Sequence, residues 1–524
     1  MKKIYITLII LMTAMLGMAY LYFSKLNTET SYNDISLHAA TANSGLVFCM
    51  QNDKSIFEIL KGQDLFQQLL GEDKFNQLKF LKEKFIANPA LNNLIAHNNI
   101  FISFSSGKDK SINYLISTQV DSDQNSQLLL ETIKTNGIKL DTSSKVTKII
   151  FNDSTSFYLA IEKNLIVLSN EEAPVKAAIS SQVEKSALAF TDFIKVSNKM
   201  NKNSVGNLYI DFNRLPQLIK QMIPGNLNGS LAVLKNQDSF SVMNYNFSKE
   251  RLFFNGSSKI NNKNNYLSLY TNLEPQKNSI DNLLPDYTAN FTLFSIPSYK
   301  KWAPSLQEWF KLHNEEADVK KIITKTDKDY HLNVAAIFPV YFKDQLISFQ
   351  LKSTENIGAI NLSNGDKVKQ LLLDLSEDYD QDIKKLKVAG LLYCYFGEPL
   401  KKFSTPYYTI IDNYMVFSNQ ASALRLCLSK YKKNELLISN KDYVSLYSQI
   451  SDRANVTYYV NGQNSTDLAR NTIYSTYYKH YRSAKGLGNF NSFIYQLSGD
   501  KGNFQTNCLI STNRQEQDEN FTAN

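Results

Sequence analysis

The first apolar run of the chain differs in kind from all the later ones. From Ile4 to Phe23 no charge occurs, with Lys2 and Lys3 ahead of the run and Ser24-Lys25 behind it. As a helix rising about 1.5 Å per residue it would be ~30 Å long, the thickness of a bilayer's hydrocarbon core. Tyr20, Tyr22 and Phe23 gather at its far end, where aromatic rings favour the interface. Residues 1–3 therefore read as a cytoplasmic stub, 4–23 as a transmembrane anchor and 24–40 as a tether. The lysines stay inside, and the bulk is expected across the inner membrane, in the periplasm or its equivalent. The alternative is a signal peptide cleaved after Ala19, where Gly17-Met18-Ala19 supplies small residues. Both readings place the body outside the cytoplasm, and the lack of a nearby cysteine excludes a lipid-modified amino terminus.

After residue 40 the apolar runs shorten to strand length, and they repeat. Ile161-Glu162-Lys163-Asn164-Leu165-Ile166-Val167-Leu168-Ser169-Asn170 matches Ile410-Ile411-Asp412-Asn413-Tyr414-Met415-Val416-Phe417-Ser418-Asn419, 249 positions on, with half the residues identical. Tyr209-Ile210-Asp211 and Tyr459-Val460-Asn461 follow in the same order, as do Phe240 with Tyr245 and Phe490 with Tyr495. Thr41-Ala42-Asn43 recurs as Thr288-Ala289-Asn290. A common order and shift favour duplication over chance.

The best block predicts a hairpin. Phe157–Glu162 and Leu165–Ser169 are strand-like runs around Lys163-Asn164, and Asp412-Asn413 is the counterpart turn; Asn tolerates the positive φ such turns demand. Asn170 and Asn419 are then expected to cap helices. Each repeat reads as a strand, two amphipathic helices (near Ile56–Leu70 and Lys74–Phe85 in the first), more hairpins and helices, and a closing hairpin. The fold class expected is α+β: an N-terminal transmembrane helix followed by two tandem, related domains of mainly antiparallel sheet with helices packed on one side. The boundaries are 41–265 for the first, 266–287 for a linker marked by Pro275 and Pro285, 288–512 for the second, and 513–524 for a polar tail.

Composition narrows the function classes only a little. Across 524 residues, 43% are hydrophobic and 20% charged, a globular balance, with 30 Tyr and 31 Phe to fill strands and packed faces. The net charge of +8, from 57 basic and 49 acidic side chains, is too dilute for a nucleic-acid surface. Cys49, Cys394, Cys427 and Cys508 each sit in apolar runs without zinc-like spacing, and read as small buried hydrophobes, a disulfide being the other use.

Candidate chemistry is sparse. Asp378-x-Asp380-x-Asp382 begins like a calcium loop, but Ile383 and Ala389 stand where such a loop needs Gly and Glu, so a solvated helix start is expected. Four Ser-x-x-Lys hits lack their companion motifs, and His38, His97, His313, His331 and His480 stand far apart. No catalytic residue, cofactor or metal site is assigned. One segment stands out. Tyr474, Tyr477, Tyr478 and Tyr481 recur at the spacing of one helix face, accompanied by Arg470, Lys479, Arg482 and Lys485, with no acidic residue between Asp467 and Asp500. Its functional reading is a basic, aromatic surface for anionic lipid, glycan or a partner protein; its plainer reading is a helix covering the sheet with its Tyr face. The equivalent helix in the first repeat, with Leu215, Leu218, Ile219 and Met222, is aliphatic.

The Lys-Lys-led anchor, the Thr-Ala-Asn strand start and the duplicated hairpin-Ser-Asn-helix block together resemble a bacterial family of membrane-anchored extracytoplasmic proteins of unknown function. The resemblance implies a compartment and supplies no catalytic residues. The function expected is a non-enzymatic, membrane-anchored envelope scaffold, adaptor or interaction module with an envelope protein partner and no nucleic acid. The alternative is a carrier for lipid or another apolar ligand in a groove between helices and sheet.

Overall fold

The computed structural model describes residues 35–51, 98–120, 139–141, 145–150, 156–180, 185–198, 206–224, 237–246, 251–483 and 490–512, with positions 76, 77, 80, 131, 486 and 488 in isolation. In the first half the strands are β1 (Leu46–Gln51), β2 (Asn99–Ser106), β3 (Ile112–Gln119), β4 (Lys139–Asp141), β5 (Thr147–Ile150), β6 (Ser156–Glu162), β7 (Leu165–Ser169), β8 (Gly206–Asp211), β9 (Ser239–Asn246) and β10 (Arg251–Ile260). After β11 (Gln276–Lys277) come β12 (Thr288–Ser295), β13 (Phe342–Leu351), β14 (Asn356–Leu362), β15 (Ser376–Asp378), β16 (Lys384–Leu386), β17 (Tyr407–Ile411), β18 (Tyr414–Ser418), β19 (Arg453–Ala454), β20 (Val456–Asn461), β21 (Phe490–Asp500) and β22 (Asn503–Thr512). All but β11 and β19, which pair with each other, belong to one sheet of twenty strands.

Every pairing in that sheet is antiparallel, and its order is the same read outward from the centre in either direction. One way it runs β10, β9, β8, β1, β2, β3, β7, β6, β5, β4. The other way it runs β22, β21, β20, β12, β13, β14, β18, β17, β16, β15. The halves meet where β10 pairs with β22. Tyr245 faces Phe254 across one hairpin, Tyr495 faces Cys508 across the other, and Phe254 faces Cys508 across the seam. Equivalent residues thus oppose one another there, so a local pseudo-twofold axis passes between Phe254 and Cys508. The two outer strands, β4 and β15, are three residues each, and Glu377 and Asp378 put charge on β15, which blunts the sheet's edge.

The expectation of a transmembrane helix followed by two tandem domains is corrected by this architecture. The strands of both halves form one continuous antiparallel sheet with helices. No helix among the described residues is long and apolar enough to cross a membrane, and segment 4–23 lies outside them. The stretch 266–287 is not a free linker: short 3-10 turns at Tyr266–Tyr270 and Ile280–Leu283 bury Tyr270, Ile280 and Leu283. The last part of the expected tether is helix α1 (Ile35–Thr41), five of whose residues are buried.

Helices α2 (Glu172–Ala178), α3 (Lys185–Asn198) and α4 (Leu215–Ile219) complete the described helices of the first half. In the second half come α5 (Tyr299–Leu312), α6 (Glu316–Tyr330), α7 (Gly365–Leu371), α8 (Leu391–Phe396), α9 (Ala421–Lys432), α10 (Lys441–Tyr447), α11 (Thr466–Thr472) and α12 (Ser475–Tyr481). Helices lie on both faces of this half rather than on one. On one face Trp302, Leu306, Trp309 and Phe310 of α5, with Leu391 and Phe396 of α8, pack on Phe294, Leu346, Ile360 and Phe417. On the other, Leu424 and Cys427 of α9 and Tyr443 and Leu446 of α10 pack on Phe291, Ile347, Val416 and Tyr459. Strand side chains alternate between faces, so a sheet covered twice buries successive positions: all eight residues of β12 are buried, with Phe291 and Leu293 on one face and Phe294 on the other. The counterparts of α5 and α6 in the first half, expected near 56–85, fall almost wholly outside the described residues; helical Phe80 packs beside Tyr114 and Phe157.

The repeated block folds alike in both halves, with different residues in two of the expected roles. Positive φ falls on the first turn residue, Lys163 (54°) and Asp412 (50°), rather than on the Asn that follows. Each of those asparagines uses its backbone carbonyl to accept a neighbour's amide, Val120 N–H to Asn164 (2.9 Å) and Leu362 N–H to Asn413 (2.7 Å). Nor do Asn170 and Asn419 cap helices: Asn170 Oδ1 accepts from Tyr114 N–H at 2.9 Å, and Asn419 Nδ2 donates to the Lys402 carbonyl at 2.9 Å. Ser169 and Ser418 turn the chain instead. The Ser169 hydroxyl donates to the Tyr114 carbonyl (2.6 Å) and accepts from Glu171 N–H (3.2 Å); Ser418 donates to the Asn356 carbonyl (2.7 Å) and accepts from Gln420 N–H (3.2 Å).

Candidate functional site

The basic, aromatic segment lies between β20 and β21, and the structure divides it. A continuous helix over 470–485 would align all four tyrosines; α11 ends at Thr472, and Tyr474 is extended (φ −58°, ψ 145°) ahead of α12. The break aims the tyrosines two ways. Tyr474 donates its N–H to the Met222 carbonyl at 2.9 Å, and the Lys110 ammonium sits 3.8 Å from its ring centre. Tyr477 donates its hydroxyl to the Lys110 carbonyl at 2.6 Å. These two clasp the β2–β3 turn, in which Asp109 and Lys110 both hold positive φ. Tyr478 and Tyr481 instead stack on each other at 6.0 Å, and Tyr481 reaches back to the Gly462 carbonyl at 3.3 Å.

All four rings are half-buried, while Arg470, Lys479 and Arg482 are exposed, as are Lys108 and Lys110 on the clasped turn. None of these five cations forms an ion pair among the described residues. Lys485 lies outside the described residues. The segment thus combines both sequence readings: its tyrosines cover structure and its cations face water. Nothing in the sequence marks Lys110, and Met222 is placed there only in the aliphatic helix of the first repeat, since no spacing rule links residues more than 250 positions away to a helix.

Elsewhere, several polar groups are matched within the fold. Tyr443 donates its hydroxyl to Asp281 Oδ2 at 2.7 Å, and burial pushes the Asp281 carboxyl above the usual carboxylate range. Burial also raises Glu315, but the Tyr393 hydroxyl and Lys401 (3.0 Å) outweigh it and hold that carboxylate below its ordinary value. Gln345, fully buried, accepts from Ser279 and Ile280 and donates to the Lys277 carbonyl (2.7 Å). Arg214 donates to the Thr41 and Ala42 carbonyls (3.0 and 3.1 Å), and in the second half Asn464 donates to those of Asp286 and Thr288 (2.9 and 3.0 Å). The first fastens the chain at the end of α1, ahead of β1, and the second at the Thr-Ala-Asn start of β12, so the first Thr-Ala-Asn does not open a strand as the second does.

The remaining sequence candidates scatter. Asp378, Asp380 and Asp382 lie on or beside a strand hairpin rather than a helix start, and each faces its own cation: Lys384, Arg425 (3.0 Å) and Lys432 (3.3 Å). The four cysteines form no disulfide and are buried, one in each of four packed clusters, and burial pushes the thiols of Cys394, Cys427 and Cys508 up to about 12. His313 stacks on Trp309 with ring centres 4.1 Å apart, and His38 meets Lys195 at 2.8 Å. Among the described residues no group of three His, Cys, Asp or Glu could hold a metal ion. No protein family, no characterised protein and no solved structure matches the chain, so the family resemblance rests on the residues quoted for it.

Proposed function

We propose that this chain is a non-enzymatic envelope protein, held at a membrane by its apolar leader, whose body acts as a scaffold or adaptor for a protein partner outside the cytoplasm. The observation that supports this reading best is the internal commitment of perturbed ionisable groups: buried Asp281 to Tyr443, and half-buried Glu315 to Tyr393 and Lys401. Reacting centres gather titratable groups whose perturbation is answered by substrate; these are answered by the fold. The leader supports the placement, because an uncharged run of that length behind two lysines favours lipid over water.

The test uses the full chain in its native membranes. After chemical crosslinking, detergent extraction and mass spectrometry, the reading predicts one recurrent envelope partner. Alkaline extraction should leave the chain with the membrane, and added protease should reach its body only from the non-cytoplasmic side. Consistent recovery of the chain alone, or of intact chain in the soluble cytoplasmic fraction, contradicts it.

A further inference from the structure

The geometry points to a second contact with the membrane: the surface formed by α11, α12 and the β2–β3 turn rests on an anionic bilayer, through Lys108, Lys110, Arg470, Lys479 and Arg482. This inference rests on the membrane-anchored reading above. Its first support is charge. Five exposed cations from two distant parts of the sequence are drawn together when Tyr474 and Tyr477 clasp the β2–β3 turn, and Asp109 and Asp467 are the acidic residues nearest to them along the chain. Each lysine or arginine near an anionic surface adds to attraction, and half-buried tyrosines suit the headgroup region.

Reach is the second support. Helix α1 is fastened beside β3, where the Ser117 hydroxyl donates to the Ser36 carbonyl at 2.8 Å. Ser111, at the β2–β3 turn, lies six positions along β3, or ~20 Å at strand rise. Residues 24–34, between the leader and α1, span at most ~36 Å when extended. The leader can therefore enter the same bilayer that the turn and α12 touch.

The patch commits to lipid; an acidic protein or glycan would show itself as lipid-independent behaviour. The full chain carries a polarity-sensitive fluorophore on Ser475→Cys, an exposed position on α12, while the native cysteines are buried. It is mixed with vesicles of phosphatidylcholine, alone or with phosphatidylglycerol, each with a trace of lipid bearing a headgroup nitroxide. Flotation with neutral vesicles reports the leader; additional quenching on anionic vesicles reports the patch, so the two readings fail separately. Quenching should appear with phosphatidylglycerol, fade as salt rises, and need roughly tenfold more lipid in the Arg470→Gln/Lys479→Gln/Arg482→Gln variant. A circular dichroism spectrum and melting temperature equal to the parent's show that the variant is folded. Equal quenching on neutral and anionic vesicles, or no change in the triple variant, overturns the inference.

Discussion

Asp281 carries the sharpest residue-scale consequence. Burial raises its carboxyl above the ordinary value, so the folded chain keeps that proton to higher pH than the unfolded chain does. Between the two pKa values the folded state binds more protons, and stability falls as pH rises through that window. Asp281→Asn keeps an acceptor for the Tyr443 hydroxyl and cannot ionise. Melting temperatures from pH 4 to pH 7 should show its advantage over the parent growing with pH; a constant offset contradicts the assignment. Tyr443→Phe removes the hydroxyl that answers Oδ2 and should cost roughly 1–3 kcal/mol at neutral pH in denaturant titration. None of this could be read from the sequence. Asp281 and Tyr443 are 162 positions apart, and burial of a carboxylate leaves no local pattern. The repeated Ser-Asn pair was visible, with the capping role read onto Asn; the last position of the strand instead lets the serine reach both the neighbouring strand and the turning chain.

At the scale of elements, that serine gives a paired prediction. Ser418→Ala loses a bond to the Asn356 carbonyl and another from Gln420 N–H, and should cost roughly 1–2 kcal/mol, with Ser169→Ala matching it. Unequal costs, with one near zero, would mean the two turns are not equivalent. The seam gives a further test. A Cβ on Gly256 of β10 would lie 2.0 Å from the Val242 carbonyl oxygen, and β10 is held by β9 on one side and β22 on the other. With no room to yield, Gly256→Ala should cost roughly 2–3 kcal/mol of unfolding free energy; a change within ~0.5 kcal/mol contradicts so tight a seam. Individual hairpins were legible because alternation and turn residues are local. The split of the tyrosine helix at Ile473-Tyr474 was not: nothing in the spacing breaks there, and the Met222 carbonyl and Lys110 that receive Tyr474 belong to the other half.

For the molecule as a whole, duplication of motifs was readable and their assembly was not. Tandem repeats suggested separate cores and a polar linker, yet the final strands of the two halves have free edges of equal length that satisfy each other's backbone groups. A sequence shows which strand pairs with its hairpin neighbour, not which distant edge closes on it. The buried Ser258 hydroxyl, bonded to Thr506 across the seam at 2.6 Å, marks this as interior. Amide hydrogen exchange on the full chain tests the central claim most directly. Amides of β10 and β22 from Leu252 to Ser258 and from Phe504 to Ile510 should be protected as strongly as those of β12 and β13, and should open together with both halves. Exchange at the seam orders of magnitude faster than in the two halves, each remaining protected, would show two separate sheets lying side by side and contradict the account.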